Sequence, residues 1–187
     1  MKASFKSKCE AAVGTLPWVS SSRVTMTART KAAKSSQEVP TGISQVTNII
    51  AVSSAKGGVG KSTVAVNLAY ALQALGAKVG LLDADVFGPS LPILVRPKET
   101  TIVYDGELLR PIEHEGLKMM SFGWATGSRQ AAIMRGPMVS NVVSQLAVGT
   151  NWGVLDYLVV DMPPGTGDIQ LTLTQKLDFA GALIVTT

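Results

Sequence analysis

The chain has 187 residues, a net charge of +4, 46% hydrophobic and 16% charged residues, a composition that marks a globular chain with room for one medium domain plus extras. No stretch reaches the run of about 18 uninterrupted apolar residues that a transmembrane helix needs, so no membrane insertion is expected. The positive charge is local, with +5 on residues 1–38 and −1 on the rest. That argues against a nucleic-acid partner, because a duplex binder carries its basic face on the folded domain.

In chain order, the basic N-terminal segment has two readings. Its Ser, Ala, Lys and Arg content and few acids fit an organellar transit peptide. Alternatively Phe5 to Val13 is a short helix stopped by Gly14, and Arg23 to Thr27 is a strand after the Leu16-Pro17-Trp18-Val19 turn. The second is favoured, because Trp18 and the alternating Val24/Met26 face then have something to bury. Residues 30–46, rich in Lys, Ala, Ser and Gln, read as a linker between a small unit at 1–29 and a larger domain at 47–187. Cys9, the single cysteine, forms no intramolecular disulfide, which fits a reducing compartment, and no metal site by itself. His114 has no His or Cys neighbour at ligand spacing.

Beyond the linker, short Val/Ile/Leu-rich runs recur at 48–52, 78–82, 157–160 and 182–185, as parallel strands buried on both faces do. Ser62 to Leu75 reads as a helix whose Val66, Leu68, Ala69 and Leu72 face the core, with Gly76 as its C-cap. Thr101 to Pro111 reads as a hairpin turning at Asp105-Gly106, and Gly116 to Phe122 as a strand. Pro137 to Ala147 reads as a helix with Met138, Val142 and Leu146 toward the sheet. The expected fold is α/β: an open, largely parallel, doubly wound sheet with helices on both faces.

The chemistry concentrates in Ala55-Lys56-Gly57-Gly58-Val59-Gly60-Lys61-Ser62-Thr63, between the first strand and the first helix of that domain. Glycines there turn successive backbone N–H groups onto phosphate oxygens, and the helix N-terminus adds partial positive charge. Residues 56–63 are thus expected to cradle a nucleotide, Lys61 reaching the β/γ-phosphates and Ser62 a Mg²⁺ ion. The pattern departs from the strict phosphate-loop motif at position 55, where Ala replaces Gly. Two acid-bearing strand ends complete the site. Asp161 closes Leu158-Val159-Val160, placing it for the metal shell, and the following Met162-Pro163-Pro164-Gly165-Thr166-Gly167-Asp168 can track a phosphate through Pro164 and Gly165. From Asp83-Ala84-Asp85, Asp85 is assigned to the metal shell and the attacking water, and Asp83 is evenly divided between a functional and a structural role. Lys56 reads either as a solvated lysine or as a charge that reaches the phosphates of a second subunit, which would tie hydrolysis to a homodimer. The catalytic set is therefore Lys56, Lys61 and Asp85, and the metal set Ser62, Asp85 and Asp161.

With its early Lys56, the loop resembles the deviant Walker A motif of the SIMIBI-class ATPases. Asn48 to Ser54, Asp83 to Ser90, Met134 to Met138 and Asp161 to Thr172 are similar to the Mrp/ApbC iron–sulfur carriers. Leu16 to Val19 and Val24 to Met26 resemble the end of the small iron–sulfur-assembly domain that precedes the ATPase in the plastid branch of that family. The resemblance implies an ATP- and Mg²⁺-dependent carrier that delivers [4Fe-4S] clusters from upstream scaffold proteins to apo-proteins. It implies the chloroplast stroma, with the mitochondrial matrix or cytoplasm as alternatives. Two other functions stay open: a positioning ATPase of the MinD/ParA kind, and a non-hydrolysing nucleotide-binding scaffold. The family continues past Thr187 into further strands, an adenine-contacting segment and, in many members, a CxxC. The chain therefore resembles an internal fragment in which no residue is identifiable as a cluster ligand.

Overall fold

The computed structural model describes residues 2–15, 17, 19, 21–24, 42–125 and 136–187. Trp18, Thr25 to Thr27, Met134 and Arg135, each part of an expectation above, lie outside these residues, as does most of the expected linker. The chain divides into two compact units, Met1–Ser36 and Gln37–Thr187. In the first, helix α1 (Lys2–Gly14) is longer than the expected Phe5 to Val13 but ends at the same glycine. Of the expected strand Arg23 to Thr27 only Arg23 and Val24 are among the described residues. Val24 donates its N–H to the Glu10 carboxylate at 3.0 Å, and the Ser22 hydroxyl donates to the Glu10 carbonyl at 3.2 Å. Side chain and helix end thus take the hydrogen bonds that a strand would exchange with a ladder.

The second unit runs β1 (Val46–Ser53), α2 (Lys61–Ala74), β2 (Val79–Asp83), α3 (Leu91–Leu94), β3 (Tyr104–Asp105), β4 (Leu108–Leu109), β5 (Ile112–His114), β6 (Leu117–Ser121), α4 (Phe122–Ala125), α5 (Gly136–Val148), β7 (Leu155–Asp161), α6 (Asp168–Lys176) and β8 (Phe179–Ile184). Its main sheet has the order β5-β6-β2-β7-β1-β8. Every pairing is parallel except that of β5 with β6. Alternate strand residues feed two cores, as the two-residue side-chain period requires. Ile49, Leu82, Met120, Leu158 and Val160 meet Val139, Val143 and Leu146 of α5 and Ile169 and Leu173 of α6. Val52, Leu81, Met119 and Val159 meet Ala65 and Ala69 of α2. Helices on both faces make this the doubly wound α/β sheet that the continuous apolar strands predict.

Four details differ from the sequence reading. On α5 the expected Leu146 is buried and Val142 packs half-buried on the core beside buried Val139, Val143 and Ala147, while Met138 is 58% exposed. On α2 the deepest residues are Ala65 and Ala69, one turn apart, whose small side chains bring the helix close to the sheet; Val66, Leu68 and Leu72 flank them half-buried. The hairpin pairs Asp105 with Leu108, so its loop is Gly106-Glu107, one residue later than expected. Finally, β5 pairs antiparallel with β6 across Glu115-Gly116, both at positive φ. Gly76 caps α2 as expected, at φ +91 and with Ala77 N–H on the Leu72 carbonyl and Gly76 N–H on that of Gln73.

Gly80 of β2 sits where the sheet backbone closes on a packed layer: a Cβ there would lie 2.7 Å from Leu155 Cδ1 and 3.0 Å from both Leu158 Cδ1 and Trp152 Cε3. Gly80→Ala is therefore expected to lower unfolding free energy by roughly 1–3 kcal/mol through overpacking. Gly57→Ala, where a Cβ meets nothing within 4 Å, should leave urea unfolding within about 1 kcal/mol of wild type.

Candidate functional site

The register of the sheet assembles the site. Asp161 at the end of β7 lies beside Val52 of β1 on one side and Asp83 of β2 on the other. Three strands thus release their chains at one level: residues 54–60 after β1, 84–90 after β2 and 162–167 after β7. In a parallel sheet this is the edge where ligands bind.

The loop after β1 is held from below by Ser54, 2% exposed, whose hydroxyl donates to the Lys56 carbonyl at 2.9 Å. Gly58 and Gly60 adopt φ +80 and +87, a left-handed backbone that L side chains rarely take. Ala55 has no such φ and is exposed, so a methyl group at that position is accommodated without strain. Gly60 stands at the N-cap of α2 with no side chain capping it. Among the described residues no acceptor meets the N–H groups of residues 56–63. These donors and the helix dipole make the loop an anion cradle.

Beneath the cradle, Lys61 is 7% exposed and Asp161 4%. The Lys61 ammonium donates to Asp161 Oδ1 at 2.5 Å and to Ser62 Oγ at 3.2 Å. Burial pushes the Asp161 carboxyl above its ordinary range, and Lys61, then Ser62, pull it back. A cation already sits between a hydroxyl and a carboxylate, both hard oxygen donors that suit magnesium.

Asp83 and Asp85 separate cleanly. Asp83 is 1% exposed and fully engaged. Its Oδ2 accepts from Ser90 N–H at 3.1 Å, Leu91 N–H at 3.0 Å and Ser121 Oγ at 3.0 Å, and its Oδ1 accepts from Asp85 N–H at 3.1 Å. This carboxylate folds the 84–90 loop back on the strand end, the structural half of the two roles left open. Burial, helped by the nearby Asp161, pushes its pKa up to about 6 against the pull of these donors. Asp85 is half-buried, accepts from Gly88 N–H at 3.0 Å and lines a cavity of about 530 Å³ with Phe87, Val139, Pro163, Pro164 and Ile169. It is the acid that faces open space.

After Asp161, Gly165 at φ +87 donates its N–H to the Ser54 carbonyl at 3.0 Å. The Gln170 side-chain amide meets the carbonyls of Pro163, Pro164 and Gly165 at 2.9, 3.1 and 3.0 Å. The structure thus brings together Lys61, Ser62 and Asp161, with Asp85 on the adjoining cavity, and leaves Lys56 exposed with no ion pair among the described residues. Sequence reasoning missed Ser54, Ser121 and Gln170. For Gln170 a signal existed: a long amide at the third position of a helix that follows a Pro- and Gly-rich loop.

A family model described as the NUBPL iron-transfer P-loop NTPase, of the ParA type, matches residues 45–187. Over its whole length the chain is 55% identical to a chloroplastic Fe-S cluster assembly factor, HCF101, of Oryza sativa subsp. japonica, spanning 35% of that protein. Over 96% of its length it is 51% identical to an iron-sulfur cluster carrier protein of Synechocystis sp., spanning 52% of it. The chain thus covers between about a third and a half of these curated relatives. Among solved structures, a nucleotide-binding protein of Archaeoglobus fulgidus in complex with ADP matches with a TM-score of 0.66 and 38% identity over 78% of this chain and 56% of that one.

Asp83 generates a pH prediction. Its folded pKa of about 6 lies above the ordinary 3.8, so its contribution is fully present only below the unfolded value and is lost as pH rises through 6. Relative to Asp83→Asn, the wild-type chain should lose about 2 kcal/mol of unfolding free energy between pH 4 and 6.5 without nucleotide. Urea unfolding at both pH values checks this, and a pH-independent difference would refute it.

Proposed function

The chain belongs to the NUBPL iron-transfer family of ParA-type P-loop NTPases, and from that membership we propose that it binds and hydrolyses ATP as part of an iron–sulfur cluster carrier. The observation that carries the nucleotide half is the Lys61–Asp161–Ser62 cluster directly under an unfilled row of backbone donors. The names of the relatives support the carrier half.

In this reading the cluster is cargo. A Cys₄ cluster exceeds what a chain with one cysteine, Cys9, can hold alone, so the proposal assigns this chain the nucleotide-driven part of delivery to apo-proteins. On nucleotide binding, Lys61 leaves Asp161 for the β- and γ-phosphate oxygens, and the N–H groups of residues 56–63 receive the rest of the phosphate charge. Ser62 and Asp161, with Asp85, would supply oxygen ligands to magnesium, directly or through water, and the ion would neutralise phosphate charge. Asp85 orients the attacking water from the cavity side. Lys56, exposed on the loop, contributes its charge to the phosphates of a second copy, which would make turnover dimer-dependent and slow in the monomer. The plastid label of the Oryza sativa relative supports a chloroplast location.

Two variants test the reading by titration calorimetry and phosphate release. Lys61→Ala should weaken Mg-ATP binding about 10- to 100-fold, the worth of a charged hydrogen bond. It should also lower unfolding free energy by about 3 kcal/mol, because Asp161 is left buried without its cation. Lys56→Ala should bind Mg-ATP within about threefold of wild type yet hydrolyse it at least about tenfold more slowly, as loss of a contact made only in the transition state does. Hydrolysis by wild type no faster than by Lys61→Ala would leave a nucleotide-binding scaffold in place of an ATPase.

A further inference from the structure

The loop after Asp161 offers an incoming phosphate little in the conformation observed. Met162 N–H is bonded to the Val52 carbonyl and Gly165 N–H to the Ser54 carbonyl; Pro163 and Pro164 have no N–H at all. No backbone donor from Met162 to Gly165 is therefore free. The first that could turn to an anion is Gly165 N–H, and it shares a rigid peptide plane with the Pro164 carbonyl. That plane is held at both ends. Its oxygen accepts from Gln170 Nε2 at 3.1 Å, and its N–H reaches Ser54 O at 3.0 Å, at the root of the phosphate loop. The same Gln170 amide holds the carbonyls on either side, of Pro163 and Gly165, so two hydrogens serve three acceptors.

Packing does not oppose a turn of this plane. Pro164 is exposed, a Cβ on Gly165 would meet nothing within 4 Å, and Pro163, Pro164 and Gln170 border the 530 Å³ cavity. Hydrogen bonds, not sterics, keep the plane where it is. We infer that Gln170 is a positioning residue that latches the Pro164–Gly165 peptide away from the phosphate site, and that a γ-phosphate, unlike a β-phosphate alone, draws the peptide off the latch. This rests on the nucleotide reading above and adds its regulation: the latch makes the loop change conformation for ATP and not for ADP, at a cost in ATP affinity, through a segment carrying no charged side chain between Asp161 and Asp168.

A ligand that must first release a latch binds more tightly once the latch is gone. Gln170→Met keeps the length of the side chain and removes only the donor. In the 187-residue chain, this variant should bind Mg with a β,γ-imido ATP analogue about fivefold more tightly than wild type and Mg-ADP within about twofold. A second measurement needs no variant. By nuclear magnetic resonance, the wild-type Gln170 side-chain amide protons should exchange slowly in the free and ADP-bound protein and become fast with the ATP analogue. Unchanged or weaker analogue binding in a folded Gln170→Met protein, or Gln170 protons indifferent to the analogue, would overturn the latch while leaving the nucleotide site standing. A wild-type chain that binds neither nucleotide would overturn both.

Discussion

A buried ammonium pressed against a buried carboxylate, Lys61 on Asp161, is the interaction around which this site is organised. Taking either charge out of water alone costs several kcal/mol, and the pair recovers that cost only with close geometry and further hydrogen bonds. The geometry comes from the sheet. Asp161 is fixed because β7 is the central strand, paired on both sides, and Lys61 because α2 starts directly after the loop leaving β1. Ser62 supplies the extra polar contact. A hydrophobic pair in the same place would fold as well or better. What the ion pair adds is exchangeability, since each partner can trade the other for an oppositely charged ligand without either being left bare.

The three loops at this edge follow one design. Each carries residues that could meet a nucleotide, and each is tied down by a polar side chain that hydrogen-bonds its backbone. Ser54 holds the Lys56 carbonyl, Asp83 gathers Asp85, Ser90 and Leu91, and Gln170 gathers three carbonyls after Asp161. The loops are also tied to each other, since the Ser54 carbonyl accepts Gly165 N–H and the Asp161 carbonyl accepts Ala84 N–H. A displacement at one loop therefore changes the hydrogen bonding of its neighbours, which is the physical requirement for a site that reports its occupancy.

How much of this the sequence disclosed depends on the range of the interaction concerned. Strands β2 and β7 were legible because burial on both faces leaves runs dominated by Val and Leu, as in Leu158-Val159-Val160, whereas β8, expected as a buried strand, is exposed along most of its length. The phosphate loop was legible because glycine at positions 58 and 60 answers a local backbone requirement, φ above zero. What escaped depends on partners far along the chain. Asp83 is structural because Ser121, 38 residues later, ends the adjacent strand; nothing near Asp83 says so. On α5 only Met138 was misplaced: Val142 and Leu146 pack on the core as expected, and Met138 is 58% exposed in the first turn. The strand β5 is three residues long and follows Pro111, too short for alternation to register. In the N-terminal unit, the Val24 amide is taken by the Glu10 side chain, a tertiary bond that propensity does not foresee.

Charge at the site adds a last constraint. Around the cradle stand two ammonium groups, Lys56 and Lys61, and three carboxylates, Asp83, Asp85 and Asp161. With Asp83 titrating near 6, the three acids outweigh the two bases at neutral pH. A free nucleoside triphosphate approaching along the strand ends would meet a field that the backbone donors only partly offset. Displacing Lys61 from Asp161 would leave that acid uncompensated in a region that already raises its pKa. Proton uptake by Asp161 could restore neutrality, but it would remove an anionic oxygen from the site. A divalent cation arriving with the phosphates solves both problems at once, giving Asp161 a new counter-charge as Lys61 departs. Under the proposed function, this arrangement of acids would favour the metal–nucleotide complex over the bare nucleotide, and it would do so through the same buried Lys61–Asp161 pair.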